Sequence, residues 1–185
     1  MIILASQSPR RAELLQQIGV RFSTQPADID ETALPGESPE DFVRRMAIGK
    51  AQAIHAAQPD SLVLGSDTAV VLEGHILGKP QSREHAIDML LALAGREHRV
   101  LTGVALIADK TGYALSDSRV AFRAISRAEA EAYWDSGEPA DKAGGYAIQG
   151  HAAVFIERIE GSYSGIMGLP LFETARLLEQ AGIKV

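Results

Sequence analysis

The stretch Met1-Ile2-Ile3-Leu4-Ala5-Ser6-Gln7-Ser8-Pro9-Arg10-Arg11-Ala12-Glu13-Leu14-Leu15-Gln16-Gln17-Ile18-Gly19 decides how the rest of the chain is read. Its opening apolar run suits a short buried strand. Ser8, Pro9 and Gly19 suit the N-cap, the first turn and the stop of a helix. A helix N-terminus carries roughly +0.5 charge and favours acidic side chains. Arg10 and Arg11 occupy that turn instead, at a cost on the order of 0.3–1 kcal/mol each unless an anion lies among them. A strand, a Ser-containing turn, a helix N-terminus and two arginines together describe a phosphate site. The alternative is a pair of surface arginines neutralised by Glu13 or by distant carboxylates.

Bulk composition narrows the setting of that site. A chain of 185 residues with 46% hydrophobic and 23% charged residues is expected to form one domain, residues 1–185, with a sizeable core. The formal net charge of −6 gives no basic footprint for nucleic acid, so a phosphate site must be a local basic pocket. The absence of cysteine excludes disulfides, thiolate metal sites and a cysteine nucleophile, and fits a cytoplasmic location. The N-terminus lacks the basic region and long apolar run of a secretory signal. No apolar stretch approaches the ~18 residues that a membrane span needs.

Along the chain, strand and helix signals interleave. Ser38-Pro39-Glu40-Asp41 opens a second helix, with Val43, Met46, Ala47, Lys50, Ala51 and Ile54 on one stripe. Leu62-Val63-Leu64 and Ala69-Val70-Val71-Leu72 read as two buried strands, the second turning back at Gly74-His75. Residues 82–94 read as a helix. Residues 99–108 and 113–124 read as long strands joined by a hairpin at Asp109-Lys110-Thr111-Gly112. Ser126-Arg127-Ala128-Glu129 is a capping box, residues 154–159 a strand and 171–181 the last helix. The expected fold is α/β, a mixed twisted sheet with flanking helices.

Several polar breaks carry candidate chemistry. Gly65-Ser66-Asp67-Thr68 places one carboxylate between two apolar runs, as a base, a metal ligand or a turn aspartate. Lys79, in Gly78-Lys79-Pro80, meets phosphate as a point charge or is a surface lysine. Lys50 shares the apolar stripe and, facing inward, needs a partner or a route to the rim. Glu31, in Asp28-Ile29-Asp30-Glu31, belongs to a solvated loop or to a divalent-cation site. The loop from Asp141 to Gly150 offers Tyr146 to stack on a base and Gln149 to read a base edge. The Ser/Gly segment 161–170 is a second phosphate-facing turn or a connector. The histidines show no metal-ligand spacing, and no P-loop or dinucleotide fingerprint is present.

These motifs, in this order, resemble the Maf-like nucleotide pyrophosphatases. The residues that carry the resemblance are Ala5-Ser6-Gln7-Ser8-Pro9-Arg10-Arg11, Lys50-Ala51, Gly65-Ser66-Asp67-Thr68, Gly78-Lys79-Pro80, the loop 141–150 and Gly168-Leu169-Pro170. The resemblance implies two lobes around a cleft, similar to the inosine triphosphate pyrophosphatases. It implies hydrolysis of a nucleoside triphosphate to the monophosphate and pyrophosphate with a divalent cation, Mg²⁺ or Mn²⁺. It places the catalytic aspartate at Asp67 and a metal-associated acid at Glu31. It places phosphate handling at Ser6, Arg10, Arg11, Lys50 and Lys79, and specificity at Arg10, Thr68 and Gln149. Gln149 before Gly150 resembles the branch acting on dTTP and UTP, where the 7-methyl-GTP branch carries glutamate. A homodimer is compatible with the resemblance. The alternative function it implies is a nucleotide-binding regulator of septum formation without important turnover.

Overall fold

The structure is a computed structural model and describes residues 2–185. The opening stretch folds as β1 (Ile2–Leu4) followed by α1 (Pro9–Gln17), with Ser8 as N-cap and Pro9 in the first turn. Then come β2 (Phe22–Thr24), α2 (Pro39–Ala57), β3 (Leu62–Leu72), β4 (His75–Leu77), α3 (Arg83–Leu93), β5 (Glu97–Ile107) and β6 (Thr111–Phe122). The chain ends with α4 (Arg127–Asp135), three single 3₁₀ turns, β7 (Ile156–Glu160), α5 (Tyr163–Met167) and α6 (Leu171–Gln180).

One seven-stranded sheet runs β2-β1-β3-β5-β6-β7, with β4 also paired to β3. β1 is parallel to β2 and β3, and every other pairing is antiparallel. β3, β5 and β6 are eleven, eleven and twelve residues long, so each runs roughly 35 Å through the molecule. Of four apolar clusters among the described residues, the two largest sit toward opposite ends of these strands. One gathers Leu4, Leu15, Leu64, Val104 and Leu178, and the other Val70, Leu90, Val100, Phe122 and Phe155.

The polar segment Gly65–Thr68 does not separate two strands. β3 is continuous, because its ladder to β5 runs unbroken through Gly65↔Ala105, Ser66↔Val104, Asp67↔Gly103 and Thr68↔Thr102. Those bonds are made by backbone, so polar side chains do not interrupt them. The other edge of β3 is different. β1 covers residues 62–64 and β4 covers residues 70–72. Between them a short stretch around Asp67 has no neighbouring strand, and a cleft opens there.

α2 lies across β3 and β5 at unusually close range. A Cβ on Gly65 would fall 2.2 Å from the Ala47 carbonyl oxygen, and one on Gly103 would fall 2.7 Å from that of Val43. Glycine at both positions lets the helix backbone rest on the sheet. The stripe expected from sequence is the buried one, Val43, Met46, Ala47, Lys50, Ala51 and Ile54. Lys50 is thereby delivered to the strand it covers. The expected strand at residues 154–159 starts later, at Ile156, because His151–Phe155 form a 3₁₀ turn.

His98, on β5, is buried in the second core with its ring edge-on to Phe122 and Tyr146. Burial pushes its imidazole down to about 4. The unfolded chain takes up that proton near the ordinary value of about 6.5, so unfolding binds a proton between those limits. The stability held above pH ~6.5 is therefore lost as pH falls toward 4, at up to about 1.4 kcal/mol per unit. Denaturant unfolding of His98→Gln at pH 7 and at pH 4.5 should show a loss smaller than wild type by about 2 kcal/mol. Equal losses in the two proteins would contradict this.

Candidate active site

Every residue singled out from sequence lines one cleft of about 760 Å³: Ser6, Arg10, Arg11, Glu31, Lys50, Asp67, Thr68, Lys79 and Gln149. They arrive from separate elements. Ser6 lies in the turn after β1, the two arginines open α1, Glu31 lies between β2 and α2, and Lys79 follows β4. Asp67 and Thr68 stand in the uncovered stretch of β3.

At the floor, Lys50 joins two carboxylates. Its Nζ lies 2.6 Å from Asp67 Oδ1 and 2.7 Å from Glu31 Oε1. Lys50 and Asp67 are both only 8% exposed, so each meets its charge partner with little water present. Asp67 Oδ2 has no protein hydrogen-bond partner among the described residues. Partial burial works to raise the Glu31 carboxyl. The Lys50 hydrogen bond and the positive field of Lys50, Lys79 and Arg11 outweigh it and hold Glu31 below its ordinary value. Of the acidic cluster, Asp30 instead accepts from the Thr32 amide at 2.9 Å.

The two arginines differ. Arg11 is tied inward: Nε donates to the Gly168 carbonyl at 2.8 Å, Nη2 to Thr68 Oγ1 at 3.2 Å and Nη1 to Ser6 Oγ at 3.4 Å. Desolvation lowers its pKa, opposed by the negative field of Asp67. Arg10 and Lys79 form no ion pair among the described residues, and α1 has no acid in its first turn. Neither arginine pairs with Glu13; Asp67 and Glu31 act on Arg11, and Asp141 lies in the field of Arg10, without an ion pair at either among the described residues. The cleft keeps unneutralised cations at a positive helix end.

Proton accounting defines Thr68. Thr102 Oγ1 donates to the Gly165 carbonyl at 2.7 Å, so in its 3.0 Å contact with Thr68 it must accept. Thr68 therefore donates to Thr102 and accepts from Arg11. Toward the cleft it retains only acceptor capacity. Ser66 Oγ reaches the Gly103 and Gly168 carbonyls, both at 2.9 Å. The segment 161–170 thus turns carbonyls toward the arginine and hydroxyls. That makes it a strut for Arg11 rather than a phosphate-facing turn. Gly168 takes a φ of +121°, and a Cβ there would touch Arg11 Nε at 3.4 Å.

Tyr146 is not a stacking platform. It is 5% exposed, its ring packs against Phe122, and its hydroxyl lies 2.7 Å from His98 Nε2. Gln149 is exposed at the cleft. The loop that carries it is pinned by the Gly144 amide, which donates to the Gly78 carbonyl at 3.0 Å. Thr102 and Ser66 were missed as site residues. A Thr in Val100-Leu101-Thr102-Gly103 is an ordinary strand residue until register sets it opposite Thr68.

The sequence matches the family described as Maf-like protein over residues 1–181. The chain belongs to that family. A relative from Alkalilimnicola ehrlichii, named dTTP/UTP pyrophosphatase, is 56% identical over 97% of this chain and 92% of its own length. One of the same name from Cupriavidus pinatubonensis is 55% identical over 99% of this chain and 98% of its own. Among solved structures, the Staphylococcus aureus Ham1 protein aligns with 65% of this chain and 71% of its own, at 19% identity and a TM-score of 0.48.

The contrast between the arginines is measurable without ligand. Arg10→Ala in this Maf-like chain should leave the melting temperature unchanged or slightly raised, because the residue opposes its own helix dipole. Arg11→Ala removes three partly buried hydrogen bonds and should cost about 1–3 kcal/mol. Thermal melts of the two ligand-free variants check this, and a clear drop for Arg10→Ala would make that residue structural.

Proposed function

We propose that this Maf-like chain is a nucleoside triphosphate pyrophosphatase acting on dTTP and UTP, releasing the monophosphate and pyrophosphate. One observation carries the reading. A buried carboxylate with one free oxygen stands in the gap of β3, facing a cleft that holds cations without protein partners. The names of relatives more than 50% identical point to the same substrates.

Hydrolysis of a phosphoanhydride needs an oriented water, a proton acceptor and positive charge where charge develops. Asp67 Oδ2 accepts the proton from water. Lys50 fixes the carboxylate through Oδ1, so the free oxygen has one direction in which to act. Arg10, Arg11 and Lys79 hold the triphosphate, together with the unsatisfied amides of the α1 N-terminus. Ser6 Oγ already accepts from the Ser8 amide at 3.1 Å and so shapes that turn. The donor set also fits Mg²⁺ or Mn²⁺. Such ions take one or two carboxylates and fill the remaining positions with phosphate oxygen and water. Glu31, bound to Lys50 through Oε1 only, would hold it together with triphosphate oxygens. When bound, the cation neutralises triphosphate charge. No helix among the described residues is long and apolar enough to cross a membrane. The cytoplasm is the proposed place of work, since free nucleotides are the proposed substrates.

Asp67→Asn is nearly isosteric and removes the proton acceptor. Pyrophosphate release from UTP should fall by ~10²–10⁴-fold in a variant that circular dichroism shows to be folded. Activity within a few-fold of wild type would remove Asp67 from the role of base.

Gln149 is assigned to the base. Uracil and thymine present O4 as acceptor beside N3–H as donor, and a glutamine amide answers both. A carboxylate only accepts, so it opposes O4 yet suits the paired donors of guanine. Gln149→Glu should lower kcat/KM for UTP relative to 7-methyl-GTP by at least about tenfold, given roughly 1–3 kcal/mol for each mismatched buried group. An unchanged ratio would place base reading elsewhere in the cleft.

A further inference from the structure

The residues flanking Gln149 run back to a single carboxylate outside the cleft. Residues 147–150 form a turn closed by the Gly150 amide on the Ala147 carbonyl at 3.0 Å. The Ala147 amide donates to Tyr133 Oη at 3.1 Å, and Tyr133 Oη donates to Glu138 Oε1 at 2.6 Å. On the far side of the turn, the His151 amide donates to Glu138 Oε2 at 2.9 Å and the Ala152 amide to Oε1 at 3.4 Å. Glu138 also presses against the turn itself. A Cβ on Gly150 would fall 2.1 Å from Oε2. Burial works to raise the Glu138 carboxyl, and the hydrogen bonds from Tyr133, His151 and Ala152 outweigh it and hold it low.

We propose that Glu138 is a positioning residue for base selectivity, clamping both ends of the turn that presents Gln149. The inference rests on the assignment of Gln149 to the base. The chemistry requires a carboxylate. Both oxygens of an ionised Glu accept, whereas a Gln at this place turns one acceptor into an NH₂ donor that faces donors. The clamp touches neither the phosphate-facing cations nor Asp67. Its loss therefore loosens base reading and leaves phosphate binding intact.

The test compares Glu138→Gln, Tyr133→Phe, Gln149→Ala and the Glu138→Gln/Gln149→Ala pair. Two quantities are read: the kcat/KM ratio of UTP over 7-methyl-GTP, and the inhibition constant of inorganic tripolyphosphate, which has no base. Glu138→Gln should lower the ratio at least about fivefold and leave the tripolyphosphate constant within about twofold. Tyr133→Phe should shift the ratio in the same direction by less, and it decides the matter if Glu138→Gln does not fold. Adding Glu138→Gln to Gln149→Ala should leave the ratio where Gln149→Ala set it, because the carboxylate acts through that side chain. An unchanged ratio in folded Glu138→Gln, a parallel loss of tripolyphosphate binding, or a further drop in the double variant overturns the clamp. If Gln149→Ala alone leaves the ratio unchanged, the base assignment fails first, and that outcome is distinct from the others.

Discussion

The site depends on one buried ion pair, Lys50 with Asp67, set where β3 has a partner on one edge only. Taking two charges out of water is costly, and removing Lys50 would strand the Asp67 carboxylate. The pair survives because the fold over-determines it. α2 rests on Gly65 and Gly103 so closely that Lys50 has little freedom, and β5 holds Asp67 through an unbroken ladder. β1 and β4 occupy the opposite edge of β3 but leave the middle open. A long shared strand thus gives two cores a common spine and puts a carboxylate at the one place where the spine is exposed.

Around that pair the charges divide by function. Arg11 spends its donors on Gly168, Thr68 and Ser6, and so couples the start of α1 to the segment before α6. Arg10 and Lys79 have no ion-pair partner among the described residues and remain free for an anion. The protein as a whole carries a formal charge of −6, so the cleft is a local positive region in a negative molecule. Low-dielectric walls concentrate such a field and draw a small polyanion.

Features that follow from local rules were legible in the chain. The Ser8-Pro9 helix start, the misplaced arginines and the inward Lys50 needed only capping, dipole and periodicity arguments. What failed were inferences about breaks. The polarity of Gly65-Ser66-Asp67-Thr68 suggests a break between two strands, yet the ladder is backbone and the Ser66 hydroxyl has carbonyl partners. Tyr146 looked free to stack, but its neighbours in space, Phe122 and His98, lie far away in sequence. Thr102 and Glu138 carried no signal. Their importance comes from register and loop packing, which no local pattern encodes.

The proposed mechanism requires a triphosphate laid across the cations with its α–β bond over Asp67. Phosphorus NMR of UTP turnover by the wild-type protein with Mg²⁺ tests it most directly. UMP and pyrophosphate should appear in equal amounts, with no UDP as an intermediate. Accumulation of UDP and orthophosphate would put the β–γ bond, not the α–β bond, over the carboxylate and overturn this placement.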